Sequence, residues 1–435
     1  MEYFSTRDES RKVTASQAIA GGLAPDGGLF TPETYPDLSS LMRDFTPDKS
    51  FVEIASALTA SLFPEELSHE QAERICRRAF TFQPAIVPYN DAIAILELFH
   101  GPTCAFKDFG ASFLASAMEE FLEGESQKAV ILTATSGDTG SAVAAAFAGR
   151  RNIDVVILYP KGRVSPLQEK QLTTVGGNVR ALEVRGSFDD CQRMVKEAFT
   201  DRELEGRLRL TSANSINSGR LIPQAFYYVW AWVQMRDTAN DIFFCVPSGN
   251  FGNLTAGILA WRWGMPVHGF IAATNANDVV PEYLKTGIFT PRPSVATLSN
   301  AMDVGNPSNF ERLLHIFGKD RELMQKAIHG EVVNDEETRD TILRVYKKTG
   351  MFIDPHTAVG LLASERSATR LEGRDCTIIS LATAHPGKFL EVVEDVTGKK
   401  QELPERLRSV LAKEKQATEI GNKTADLKAY LLDWA

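Results

Sequence analysis

Lys107 stands in the run Phe99-His100-Gly101-Pro102-Thr103-Cys104-Ala105-Phe106-Lys107-Asp108-Phe109-Gly110, and far downstream comes Val246-Pro247-Ser248-Gly249-Asn250-Phe251-Gly252-Asn253. A lysine set among apolar and small residues loses its proton more readily than a solvated one, and a neutral amine attacks an aldehyde. In the second run, Ser248, Gly249, Asn250, Phe251, Gly252 and Asn253 put small residues where backbone amides can approach a phosphate, with hydroxyl and amide side chains as further donors. An aldehyde that carries a phosphate would use both places, and pyridoxal phosphate is such a molecule. The run lacks the Lys-Ser/Thr of a nucleoside-triphosphate loop and the GxGxxG spacing of a dinucleotide fingerprint.

Three further clusters carry polar groups. Thr135, Ser136, Gly137, Asp138 and Thr139 precede the Ala-rich stretch Ser141–Ala148 and can cradle a second anion, such as a substrate carboxylate. In Leu210-Thr211-Ser212-Ala213-Asn214-Ser215-Ile216-Asn217-Ser218-Gly219-Arg220, the amides of Asn214 and Asn217, the Ser215 hydroxyl and the Arg220 fork suit a doubly charged phosphate. Thr383 stands at the end of an apolar run, where its hydroxyl can meet a pyridine nitrogen. Taken singly, each motif also fits a plainer role: a tight strand-to-helix turn, an N-cap, a surface lysine, a solvated arginine. His356 and His385 lack ligand or triad spacing and read as structural, and there is no HExxH or clustered carboxylate set for a metal.

These motifs need elements to position them. From Ala92 onward, apolar runs at 129–133, 155–159, 179–184, 242–246, 267–273 and 377–381 alternate with helical stretches, the pattern of an α/β fold with a mainly parallel sheet. Every distinctive motif falls where a strand leads into a helix, the ligand-binding edge of such sheets. Before about residue 90 the chain reads as turns around Gly21–Phe30 and then helices to Phe80, a separate N-terminal unit. At 435 residues the chain exceeds what one core usually serves. Its 47 Lys and Arg against 56 Asp and Glu give a net charge of −9, which argues against a general binder of nucleic acid or anionic membranes. Five scattered cysteines without a CxxC pair and a polar N-terminus point to a soluble protein of a reducing cytoplasm.

Taken in order, HGPTCAFKDFG, TATSGDTGSAVAAAFAG, YPKGRVSPLQEKQLTTVGGNV, ANSINSGRLIPQ, VPSGNFGNLTAGILA, AMDVGNPSNFERL and TAHPGKF closely resemble the threonine synthases of the longer bacterial and fungal form, as do the N-terminal YFSTR and GLAPDGGLF. The resemblance covers nearly the full chain. It implies two three-layer α/β/α domains of the tryptophan-synthase-β-like type with an additional, mainly helical N-terminal domain. The expected boundaries are 1–90 for that domain, 91–105 with 177–435 for the large one, and 106–176 for a small mobile one.

The resemblance also implies a lyase that uses pyridoxal phosphate to turn O-phospho-L-homoserine and water into threonine and phosphate, as a monomer or homodimer. Lys107 would be the Schiff-base lysine, 249–253 the cofactor-phosphate loop and Thr383 the partner of the pyridine nitrogen. Thr135, Ser136, Gly137 and Thr139 would take the substrate carboxylate, and Asn214, Ser215, Asn217 and Arg220 the substrate phosphate. Many relatives in this fold class carry asparagine where Asp138 stands, with the amide facing the cofactor's phenolic oxygen. A carboxylate there repels a phenolate unless one of the two is protonated.

Overall fold

The strand Ala129–Ala134 is buried at all six positions, as a strand must be when helices cover both faces of a parallel sheet. It lies within a five-stranded sheet in the order Thr418–Ile420, Val179–Val184, Ile153–Pro160, Ala129–Ala134, Arg209–Thr211, with every neighbouring pair parallel. A second sheet of six strands runs Ile328–Val332, Gly269–Thr274, Asp241–Pro247, Cys376–Ala382, Ile93–Glu97, Ala85–Pro88, parallel except for the last pair. This computed structural model describes residues 2–135 and 137–434. Of the residues named above, Ser136 lies outside the described ones.

Three neighbouring strands of the larger sheet end side by side at the functional motifs. Asp241–Pro247 runs into the glycine-rich turn, Cys376–Ala382 into Thr383, and Ile93–Glu97 into the segment that carries Lys107. Among the described residues, the helix Lys107–Phe121 packs on Ser218–Met235 through Phe109 against Tyr227, ring centroids 5.5 Å apart, and Phe113 against Phe226 at 5.8 Å. These rings belong to one apolar core that continues into the N-terminal unit, where Phe51 meets Phe109 edge to face at 5.3 Å.

The N-terminal unit is mainly helical as expected, with the helices Phe51–Leu62 and His69–Ala79 among its elements, and it opens with a three-stranded antiparallel sheet of Asp8–Thr14, Glu2–Ser5 and Phe30–Pro32. One expectation needs correction. The expected boundary after residue 176 would cut the five-stranded sheet, because Val179–Val184 pairs along its length with Ile153–Pro160. That sheet runs on to Thr211 and then takes Thr418–Ile420 from the C-terminal section. The helix Thr424–Trp434 follows it there: Leu427 and Leu431 are buried with Val184 and Met194.

Candidate active site

Lys107 is the first residue of its helix, and the segment before it is fastened to the end of the central strand. The Phe106 amide donates to Thr383 O at 2.9 Å, and the His385 amide donates to Cys104 O at 3.1 Å. Asp108 locks the turn from the other side, accepting from the Thr103 amide at 2.9 Å and the Thr103 hydroxyl at 2.6 Å. Gly101 has to be glycine, since a Cβ there would sit 2.4 Å from Asp108 Oδ2. Burial holds the Lys107 ammonium below its ordinary range; Lys388 and Arg220 push the same way while Asp138 opposes them. The amine is therefore neutral more often than a solvated lysine, as its sequence setting implies.

The glycine-rich turn divides its residues between holding itself and facing outward. Ser248 Oγ donates to Asn253 Oδ1 at 2.9 Å and Asn253 Nδ2 to Pro247 O at 2.8 Å, so these two side chains tie the turn and do not reach for a ligand. Phe251 is left-handed, with φ 60, and Gly249 passes so close to the following loop that a Cβ would lie 2.5 Å from Met302 Cα. Among the described residues, the amides of Gly249, Asn250, Phe251, Gly252 and Asn253 have no acceptor. Five unspent amides beside a helix start form a phosphate cradle. Asn250 joins it to the polar cluster, donating from Nδ2 to Ser215 Oγ at 2.7 Å.

In that cluster Arg220 is 2% exposed, donates from Nη1 to Ala213 O at 2.5 Å, and has no partner for Nε. Among the described residues it forms no ion pair, and burial lowers it to about 10 against a smaller opposing pull from Asp108. A buried guanidinium without a carboxylate waits for an anion. Asn214 accepts from the Thr133 hydroxyl and stays half-buried, as does Ser215. Asn217 is corrected from a substrate contact to a helix cap: its Nδ2 serves Ile19 O and Ser212 O, both at 2.9 Å, and its Oδ1 takes the Gly219 amide.

Across the cleft, the Thr135 hydroxyl is occupied within its own loop by the amides of Gly137 and Gly140, at 3.1 and 2.9 Å. Gly137 has φ 156 and is packed so that a Cβ would meet Gln168 Nε2 at 2.6 Å. Thr139 is half-buried with its side chain unbonded among the described residues, free for a ligand. Asp138 starts the next helix and is paired with a residue that the sequence reading passes over. Lys388 Nζ lies 2.7 Å from Asp138 Oδ1, their side chains 0% and 4% exposed. Burial alone would raise the Asp138 pKa, but Lys388 and Lys107, with hydrogen bonds from Lys388 and Gln168, hold it below the usual carboxylate range. Lys388 was within reach as the lysine of TAHPGKF; the signal was an aspartate where an amide is usual, since such a charge needs a cation.

Both histidines are structural. His356 Nδ1 donates to Asp354 Oδ2 at 2.6 Å while Nε2 accepts the Ala301 amide, and His385 Nδ1 accepts the Gly387 amide. Among the described residues no group of side chains could hold a metal. The residues fit pyridoxal phosphate on three counts: a desolvated lysine, a set of unspent amides and, at the end of the strand to which the lysine segment is fastened, a buried Thr383 hydroxyl with no hydrogen-bond partner among the described residues.

A lysine beside a phosphate cradle at the carboxyl ends of a parallel sheet defines the class. Residues 89–382 match the family described as pyridoxal-phosphate dependent enzyme. Residues 2–80 match threonine synthase N terminus and 357–431 threonine synthase, C-terminal. The chain belongs to the threonine synthases. It is 43% identical over 433 residues to that of Haemophilus influenzae, covering 99% of this chain and 100% of that one. With the yeast Saccharomyces cerevisiae protein it shares 35% over 494 residues, covering 98% and 96%. The crystal structure of threonine synthase from Escherichia coli superposes with a TM-score of 0.91 at 40% identity, covering both chains fully at 100%. A PLP-bound threonine synthase from Brucella melitensis gives 0.92 at 36%, covering 99% and 98%.

Proposed function

We propose that the protein converts O-phospho-L-homoserine and water to L-threonine and phosphate, the last step of threonine formation. The observation that carries this is the pair of anion sites: the amides of 249–253 for a cofactor phosphate and, across Asn250 and Ser215, the unpaired Arg220 for a second one. A pyridoxal-phosphate enzyme that eliminates ammonia needs only the first.

When bound, pyridoxal phosphate supplies an aldehyde for the substrate amine and a conjugated ring that spreads negative charge from Cα and Cβ. Lys107 Nζ, which burial makes easier to deprotonate, would relay protons one at a time. It would take one from substrate Cα and pass it to the conjugated system, take one from Cβ as the γ-phosphate leaves and deliver that one to Cγ, and at the end return a proton to Cα. Arg220 Nε, the Asn214 amide and the Ser215 hydroxyl hold that phosphate and orient its departure. The amide and hydroxyl of Thr139, with Ser136 three residues before it in the chain, hold the substrate carboxylate. Thr383 offers a neutral hydroxyl to the ring nitrogen, where an aspartate would enforce protonation. Water then adds at Cβ; among the described residues Asp138 is paired with Lys388 and the His385 Nδ1 is occupied by the Gly387 amide, so the retained phosphate takes its proton.

Substrate draws the lobe built on the five-stranded sheet down upon the cleft and excludes bulk water. The net charge of −9 and five free cysteines support a cytoplasmic enzyme without nucleic-acid partners, and the resemblance to the longer threonine synthases implies a monomer or homodimer. No helix of the described residues is long and apolar enough to cross a membrane.

The test is purified holoenzyme with O-phospho-L-homoserine, threonine and phosphate assayed in the same tube. Equimolar products are expected, and Lys107→Ala should lose at least about 10³-fold in kcat. Ammonia in place of phosphate would move the activity to a neighbouring enzyme of the same fold.

A further inference from the structure

Lys388 touches oxygens from two sides of the cleft. Its ammonium donates to Asp138 Oδ1 at 2.7 Å and to Thr103 O at 2.9 Å, with no exposed side-chain surface. Each of those oxygens is met again by the helix Pro166–Thr173: Gln168 Nε2 donates to Asp138 Oδ1 at 3.0 Å and Gln171 Nε2 to Thr103 O at 3.2 Å. The glutamines are three residues apart and so share one helix face. Asp138 and this helix follow strands of the five-stranded sheet, whereas Thr103 and Lys388 follow strands of the six-stranded one. The four side chains and one carbonyl therefore close a polar circuit across the two lobes. Thr103 is in turn gripped by Asp108, next to Lys107.

Neither end of this circuit tolerates loss of the other. A buried carboxylate stripped of the cation it is bonded to is strongly unfavourable, while two neutral side chains in the same place are not. An ammonium at 2.7 Å also cancels the repulsion that Asp138 would exert on an anionic oxygen bound beside it. We infer that Lys388 is a positioning residue: through Asp138 it clamps the helix start at Gly137–Gly140 onto the segment that carries Lys107, and so sets the pose from which the lobes close in the working enzyme. The role within catalysis rests on the function proposed above; the clamp itself does not.

The test compares wild-type holoenzyme with Lys388→Met and with Asp138→Asn/Lys388→Met. Amide hydrogen exchange is read in 137–147 and 166–173, with the interior strand 241–247 as control. Loss of the clamp should speed exchange in both segments at least tenfold in both variants and leave the control unchanged. Lys388→Met should also lose about 100-fold in kcat with a smaller change in KM, as a misplaced loop does. The double variant should melt at a higher temperature than Lys388→Met, since it buries no unpaired charge. Wild-type exchange in either segment overturns the inference, as does a double variant no more stable than the single one. If Lys388→Met does not accumulate folded, the double variant's exchange decides alone. The exchange needs no substrate, so a wild type that makes no threonine overturns the function and leaves the clamp standing.

Discussion

Arg220→Met should cost the protein its reaction without costing it stability. Burial lowers the guanidinium from 12.5 to about 10, with Asp108 opposing. That fall corresponds to about 3 kcal/mol against the folded state. The sign follows from proton linkage: the unfolded chain holds the proton more tightly, so the penalty is complete below pH 10 and fades as the pH rises from there towards 12.5. Against it stands the bond from Nη1 to Ala213 O, about 1.5 to 3 kcal/mol for a charged donor. The balance makes Arg220→Met as stable as wild type, or more stable by up to about 1.5 kcal/mol. Loss of the phosphate partner should meanwhile lower kcat/KM by about 10² to 10³. Thermal melts of cofactor-saturated protein, with and without inorganic phosphate, read both effects. Phosphate at 100 times its Kd should stabilise wild type by about 2.7 kcal/mol and leave the variant unmoved. A variant that melts well below wild type, yet is still stabilised by phosphate, would show that Arg220 is a structural cation and refute the reasoning.

Gly249→Ala places a Cβ 2.5 Å from Met302 Cα, so the turn must move; cofactor affinity should fall at least about tenfold, read by titrating apoenzyme. In Gly137→Ala the new Cβ meets Gln168 at 2.6 Å in a backbone with φ 156, which should lower stability by about 1 to 3 kcal/mol in urea melts and raise KM for substrate. Burial, with a further push from Arg406, lowers His385 from 6.5 to about 4 despite Asp354 and Glu97. Between those values only the unfolded chain takes up the proton, so stability falls as the pH drops from 6.5 to 4. His385→Asn, which keeps an acceptor for the Gly387 amide, should flatten that slope in urea midpoints measured across the window.

The interior strands were legible because their chemistry is one-dimensional. The apolar runs at 129–133, 179–184 and 377–381 became Ala129–Ala134, Val179–Val184 and Cys376–Ala382 within a residue at either end. Edge strands gave no such signal: Asp8–Thr14 reads DESRKVT and is exposed at nearly every position, and Thr418–Ile420 is three residues long. Pairing between distant segments was also invisible, so residues after 176 were separated from the sheet they complete. At the site, residue types pointed to Lys107, the cradle of 249–253 and Arg220. Which donors were already spent did not: Ser248, Asn253, Thr135 and Asn217 look like ligand contacts and are used up by their own turns. Lys388 escaped because its partner lies across the cleft and far away in the chain.

The short strand Thr418–Ile420 has a bearing on how the protein is made. It covers the outer edge of Val179–Val184, which leaves the ribosome more than two hundred residues earlier. At roughly 5 to 20 residues per second, that edge stays open for about 10 to 50 s of every round of synthesis. An uncovered edge invites pairing with another chain. A nascent chain stalled before Thr418 therefore carries a complete cofactor cradle at 249–253 together with a naked strand, and crowded polysomes expose many such strands to one another.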